Sequence, residues 1–143
     1  MAAAIVGLGA LSFSSSAQAC SCARISPEAV LRQADAAIVG RLVEVVQRDR
    51  FNADYRYLVR RSYKHSAGIR AGETVMIRSG PSGAACGFPD DEERWYGMFL
   101  NRSDGRWSGG LCGLVQPQRL KVAAARVRRE GGSDESAGLS CAS

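Results

Sequence analysis

The chain predicts an all-β domain with flanking helices: a five-stranded OB-type Greek-key barrel, stapled by disulfides near its N-terminus. Three observations point there. Five short strand-like runs follow one another between Ala36 and Cys112, the count of a small barrel. A helix start precedes the first run, and an apolar helical face follows the last. Five cysteines occur in a chain whose first residues read as an export leader, and exported small domains use disulfides where a modest core is insufficient.

Residues 1–19 contain no charged side chain. They run apolar from Ala2 to Phe13, turn polar at Ser14, Ser15 and Ser16, and end with Ala17 and Ala19 at the small-residue positions a signal peptidase reads. A cut after Ala19 would make Cys20 the first residue of the mature protein. No Lys or Arg follows Met1, a departure from the usual leader that leaves the start codon open. The apolar run is too short to span a bilayer, so no transmembrane segment is expected. A lipoprotein cut would acylate Cys20, but it wants a Leu-like residue where Ala17 stands and a small one where Gln18 stands. Soluble export, to the periplasm or the extracellular space, fits better than a lipid anchor.

Removing residues 1–19 leaves 124, the size of one compact domain. The division expected is a signal peptide over 1–19, the barrel domain over 20–129 and a flexible tail over 130–143. In Ser26-Pro27-Glu28, Ser is a good N-cap, Pro suits the first helical position and the acid faces the positive end of the dipole, so a short helix to about Gln33 follows. The β-branched run from Ala37 to Val46 is a long strand bent at Gly40. Tyr55, Tyr57, Val59 and Tyr63 alternate with Arg56, Arg60 and Lys64, the period of a half-buried second strand. Ala71-Gly72-Glu73 turns the chain into a third strand, Thr74 to Arg78. The Gly-, Pro- and Ser-rich loop from Ser79 to Pro89 carries Cys86. Trp95 to Leu100 is the fourth strand, Ser103-Asp104-Gly105 a turn and Arg106 to Cys112 the fifth. From Gln118 to about Arg129, Leu120, Ala123, Ala124 and Val127 share one helical face, which predicts a closing amphipathic helix.

The candidate disulfide residues are Cys20, Cys22, Cys86 and Cys112, with Cys141 left over in a tail of Gly, Ser, Ala and acids. Cys20 and Cys22 point the same way in an extended segment, so each should reach across to Cys86 or Cys112. His65 is the only histidine, which argues against a His-rich metal site and, with the oxidising compartment, against a cysteine enzyme at Cys112-Gly113. No enzymatic activity, cofactor or metal of its own is expected. Asp90 to Glu93 reads as a solvated acidic face, and Trp95, Trp107 and the tyrosines as barrel core. The net charge of +5 lies outside the uncharged leader; it is mild, leaving weak polyanion contact through Arg126, Arg128 and Arg129 as one functional class and giving no sign of specific nucleic-acid binding.

Cys20-Ser21-Cys22-Ala23, the Pro27 helix, Ala34-Asp35 before the first strand, Ser82-Gly83-Ala84-Ala85-Cys86-Gly87 and Leu111-Cys112 together resemble the N-terminal inhibitory domain of the tissue inhibitors of metalloproteinases. The likeness runs from Cys20 to about Pro117, and its specific part is Cys-x-Cys at a signal cut. The resemblance implies a netrin-like OB barrel in which Cys20 pairs with Cys86 and Cys22 with Cys112. It also implies a secreted inhibitor of zinc metalloproteases. A catalytic zinc is held by three protein ligands and keeps one position for water; the free α-amine and carbonyl oxygen of Cys20 would replace that water as a five-membered chelate. Ser21 would point toward the pocket below the zinc, Cys22 and Ala23 would follow it in the contact, and Ser82, Gly83, Ala84 and Ala85 would flank the cleft, with Arg24 and Ile25 extending the ridge.

Three departures stand beside these matches. The family's third bridge in this domain begins on the helix, where this chain has Arg32, so Cys141 lacks its expected mate. The family's second, C-terminal domain has no counterpart here, and the loop between the first two strands is short. The alternative reading of the same residues is a non-inhibitory secreted OB-fold interaction module, in which Cys-x-Cys only staples the start of the barrel and the partner is a polyanion or a protein.

Overall fold

A computed structural model describes residues 20–136, with side chains up to residue 131. The expected leader over 1–19 and Cys141 lie outside the described residues. Six strands and two α-helices follow in order: α1 Pro27–Gln33, β1 Ala36–Arg48, β2 Ala53–Ser62, β3 Thr74–Ser79, β4 Trp95–Ser103, β5 Arg106–Ser108, β6 Leu114–Val115 and α2 Pro117–Ser136.

The barrel closes because β1 is long enough to serve two neighbours. From Ile38 to Arg48 it pairs antiparallel with β2, while Ala36–Arg41 pairs antiparallel with Trp95–Leu100 of β4. β2 pairs with β3, β3 runs parallel to β5, and β5 returns to β4. The five-stranded ring β1-β2-β3-β5-β4 thereby has no open edge within it, which removes the edge-pairing hazard of an open sheet. Three register shifts in the β1–β2 ladder, at Val39/Gly40, Leu42/Glu44 and Val45/Gln47, give the curvature that closure needs.

The expected alternation of β2 is present: Tyr55, Tyr57 and Val59 are buried inside the barrel with Ile38, Leu42, Val75, Ile77, Met98 and Leu100. Tyr63 is the exception. It lies past the end of β2 and packs with Leu31, Ala34, Ala37, Val39, Phe99, Leu120 and Ala124 in a second core on the outer side of β1 and β4. The first half of β1 is buried on both faces for this reason, one against the barrel interior and the other against the helices.

The helices match their local sequence. Ser26 Oγ accepts from the Ala29 N–H at 3.2 Å, Pro27 opens α1, and Leu31 is its buried anchor. In α2 the predicted face of Leu120, Ala123, Ala124 and Val127 packs inward. Two ion pairs, Glu28–Arg126 at 2.9 Å and Arg32–Glu130, tie the helices together. The Glu28 carboxyl is held below the usual carboxylate range by its own backbone N–H and by Arg126.

Three expectations need correction. The run Arg106–Cys112 is not one strand: β5 stops at Ser108, and after one more bond, from the Gly109 N–H to the Arg78 carbonyl at 3.1 Å, the chain passes through two glycines with no room for a side chain. A Cβ on Gly109 would fall 2.9 Å from the Phe88 ring, and one on Gly110 would fall 2.7 Å from the Cys86 carbonyl. Cys112 sits in a 3-10 turn, Leu111–Gly113, and β6 then pairs with Gly97 and Met98 of β4. The closing helix continues to Ser136, so residues 130–136 of the expected tail are helical, extended from a segment that Arg32 pins at Glu130. The predicted loop from Ser79 to Pro89 is present, yet its Phe88 is 1% exposed and plugs the barrel, meeting Tyr55 and Tyr57 edge-on at 5.5 and 5.4 Å between ring centroids. Trp95 and Trp107 are only partly buried. Arg41 and Arg60 lie over the first ring and Arg102 over the second.

Tyr57 is fully buried, and its hydroxyl has no hydrogen-bond partner among the described residues. Burial drives its pKa far above that of a free phenol. An unpaired buried hydroxyl costs desolvation without return, so Tyr57→Phe is expected to leave the protein as stable or to stabilise it by about 1 kcal/mol. Urea denaturation of the two proteins checks this; a loss of stability would mean the hydroxyl has a partner.

Candidate functional site: the disulfide-anchored N-terminal ridge

The site is built from three segments that no single element holds. The first, Cys20 to Ile25, is chain without regular structure before α1; Cys20 is half-buried, and Ser21, Cys22, Ala23, Arg24 and Ile25 are exposed, Ile25 by 57%. The second is the loop after β3, where Gly83–Ala85 forms a 3-10 turn. The third is the Leu111–Gly113 turn before β6.

Two disulfides fasten the first segment to the other two. Cys20 is bonded to Cys86 with Cα atoms 5.6 Å apart, and Cys22 to Cys112 at 5.2 Å, the pairing that the resemblance implied. These bridges join residues 66 and 90 positions apart. Chain entropy alone makes such a bridge worth about 4 kcal/mol. The two loops overlap, so their joint effect is smaller than the sum. Among the described residues no helix is long and apolar enough to cross a membrane.

The receiving turns are themselves interlocked. The Ser82 carbonyl accepts from the N–H groups of Ala85 and Gly87 at 3.0 and 2.8 Å, and the Cys86 carbonyl accepts from the Leu111 N–H at 2.9 Å. That last bond sets the two cysteine-bearing turns side by side. Cys86 adopts a left-handed backbone, φ 60°, a region that a non-glycine residue enters only when its surroundings enforce it. Here a disulfide holds its side chain and Leu111 its carbonyl. Gly87 must be glycine for lack of space, since a Cβ there would come within 2.1 Å of the Gly80 carbonyl oxygen. Gly87→Ala is therefore expected to force the loop apart and to cost about 1–3 kcal/mol, measurable by denaturant midpoint. An unchanged midpoint would show that the cradle yields freely.

Of the residues singled out in the sequence, the structure brings Cys20 and the Ser82–Ala85 loop together: Cys20 Sγ lies 3.9 Å from the carbonyl oxygens of both Gly83 and Ala84. Ser82, Ala84 and Ala85 are exposed beside it. Ala23 and Ile25 border a groove of about 500 Å³ with Cys112, Gly110 and Phe99. Arg24 and Ile25 also border a second groove of about 730 Å³ against Arg119 and Val122 of α2. The exposed N-terminal segment thus lies beside the Gly83–Ala84 turn at one end and borders two grooves, one apolar and one carrying arginines, at the other.

Other candidates disperse. His65 lies in an exposed 3-10 turn, and Asp90 is engaged by Arg48, which reaches both its carboxylate oxygens at 2.7 Å. Among the described residues no cluster of His, Cys, Asp or Glu could hold a metal ion. Arg126 is paired with Glu28, and Arg129 also has a partner, so two of the three arginines singled out on α2 are already engaged. Sequence reasoning missed the hydrogen bond that joins the Cys86 and Cys112 turns; the run of glycines at 109, 110 and 113 was its only visible trace. No protein-family model matches the chain, and no curated protein matches it.

Proposed function

We propose that the chain, matured by cleavage after Ala19, is a secreted inhibitor of zinc metalloendopeptidases that caps the protease zinc with the α-amine and carbonyl oxygen of Cys20. The observation that carries this reading is the double tether: two disulfides within three residues hold Cys20–Cys22 against the Ser82–Cys86 and Leu111–Gly113 turns. A free peptide terminus would lose conformational freedom on binding, whereas one already fixed has little left to lose.

The chemistry asked of the terminus is modest. An α-amine has a pKa near about 8, and a metal competes readily for its lone pair at neutral pH. The Cys20 sulfur takes no part; it is committed to the bridge that fixes the backbone. Ser21 projects beyond the chelate, small enough to enter a substrate side-chain pocket. Ser82 to Ala85 flank the same ridge and would contact the cleft wall, where Ala84 and Ala85 offer area at low entropic cost.

Incubating oxidised protein that begins at Cys20 with zinc endopeptidases tests the reading. Loss of peptidase activity at near-stoichiometric inhibitor is the expected result; peptidases left fully active contradict it.

A further inference from the structure

We infer that the recess between the end of β2 and the start of α2 is a binding site for a phosphate or sulfate group, independent of the N-terminal ridge. It is a cavity of about 240 Å³ lined by Val39, Arg60, Arg61, Tyr63, Pro117, Gln118 and Lys121. Three of these seven residues are cations and none is an acid.

A local fault in the sheet puts two of the cations there. In the β1–β2 ladder Val39 faces Arg61 and Gly40 faces Val59, so Arg60 is an inserted residue. Strict alternation would send Arg60 and Arg61 to opposite faces of β2; the bulge lets both reach the same recess. Lys121 arrives from the second turn of α2, on the side of the helix that faces Arg60 and Arg61 across the recess.

The electrostatics of the recess are uncompensated. Arg60, Arg61 and Lys121 are all exposed, and none takes part in the ion pairs found among the described residues. Arg60 and Arg41 both lie 5.5 Å from the centre of the Trp95 ring, which holds a further positive charge close by and orients Arg60. Like charges gathered without a counter-charge repel one another, and a doubly charged tetrahedral anion relieves that repulsion. Arginine forks and a lysine ammonium suit its oxygens, and the small recess fits one such group.

The test is an NMR titration of the oxidised protein with inorganic phosphate, then inorganic sulfate, against chloride at constant ionic strength. Saturable shifts confined to Arg60, Arg61, Tyr63, Gln118 and Lys121 are expected, with affinity roughly tenfold weaker in each of Arg61→Ala and Lys121→Ala and unchanged in Arg106→Ala. These side chains are exposed, so the fold should survive their loss. No saturable shift, or shifts that persist in the double variant Arg61→Ala/Lys121→Ala, would overturn the assignment. Displacement of bound phosphate by a sulfated disaccharide would assign the site to a glycan sulfate, displacement by inositol trisphosphate to a phosphorylated headgroup, and displacement by neither to the free anion.

Discussion

N-acetylation of protein that begins at Cys20 should abolish its inhibition of zinc endopeptidases, weakening it by at least about a hundredfold, or roughly 3 kcal/mol. The acetyl group turns the amine into an amide, whose nitrogen has no lone pair free for a metal, and adds bulk where the zinc must approach. One extra residue before Cys20 should act alike, because it moves the amine away and leaves a peptide nitrogen in its place. Neither change touches the bridges at Cys86 and Cys112, so circular dichroism and denaturant midpoint should stay the same. Inhibition that persists in the acetylated protein would remove the amine from the mechanism.

Removing a bridge separates rigidity from chemistry. The double variant Cys20→Ser/Cys86→Ser keeps an α-amine and a carbonyl at the same position but releases residue 20 from the loop after β3. Loss of a native disulfide from a small exported domain costs about 2–5 kcal/mol of stability, a large share of the marginal total. Below the midpoint, where the barrel is still folded, inhibition should also fall by about tenfold or more, because the terminus then pays its ordering entropy on binding. Cys22→Ser/Cys112→Ser should lose comparable stability, with Cys20 still pinned. If inhibition in the first variant equals that of the parent while stability drops, the tether serves the fold alone.

The barrel and the bridges were legible in the sequence for distinct physical reasons. Tyr55, Tyr57 and Val59 declare a strand because a closed barrel buries every second residue, and Ser26-Pro27 declares a helix because capping is local chemistry. The cysteine pairing came through likeness of motif order; composition left it open. What stayed hidden depends on contacts between distant segments. Phe88 sits between Gly87 and Pro89 in a loop, and only the third dimension shows its ring against Tyr55 and Tyr57. The need for glycine at 109 and 110, just past the end of β5, comes from the Phe88 ring and the Cys86 carbonyl, which lie where a side chain would go. Strict alternation along β2 would send Arg60 and Arg61 to opposite faces, and only the bulge opposite Val39 and Gly40 brings both to one recess.

The N-terminal ridge reads the same way. Ser21 and Ala23 are unremarkable as residue types, and their interest comes from being carried on a segment tied at Cys20 and Cys22 and left exposed. The left-handed Cys86 and the glycine at 87 show that the loop receiving Cys20 is shaped by packing on every side.

The most direct test is to titrate oxidised protein beginning at Cys20 into endopeptidases whose zinc has been replaced by cobalt, following the visible spectrum of the metal. Capping by an amine nitrogen and a carbonyl oxygen predicts a change in the cobalt bands that saturates at one equivalent, in step with the loss of peptidase activity. A spectrum and an activity that both remain unchanged across a broad panel of such enzymes would contradict the account.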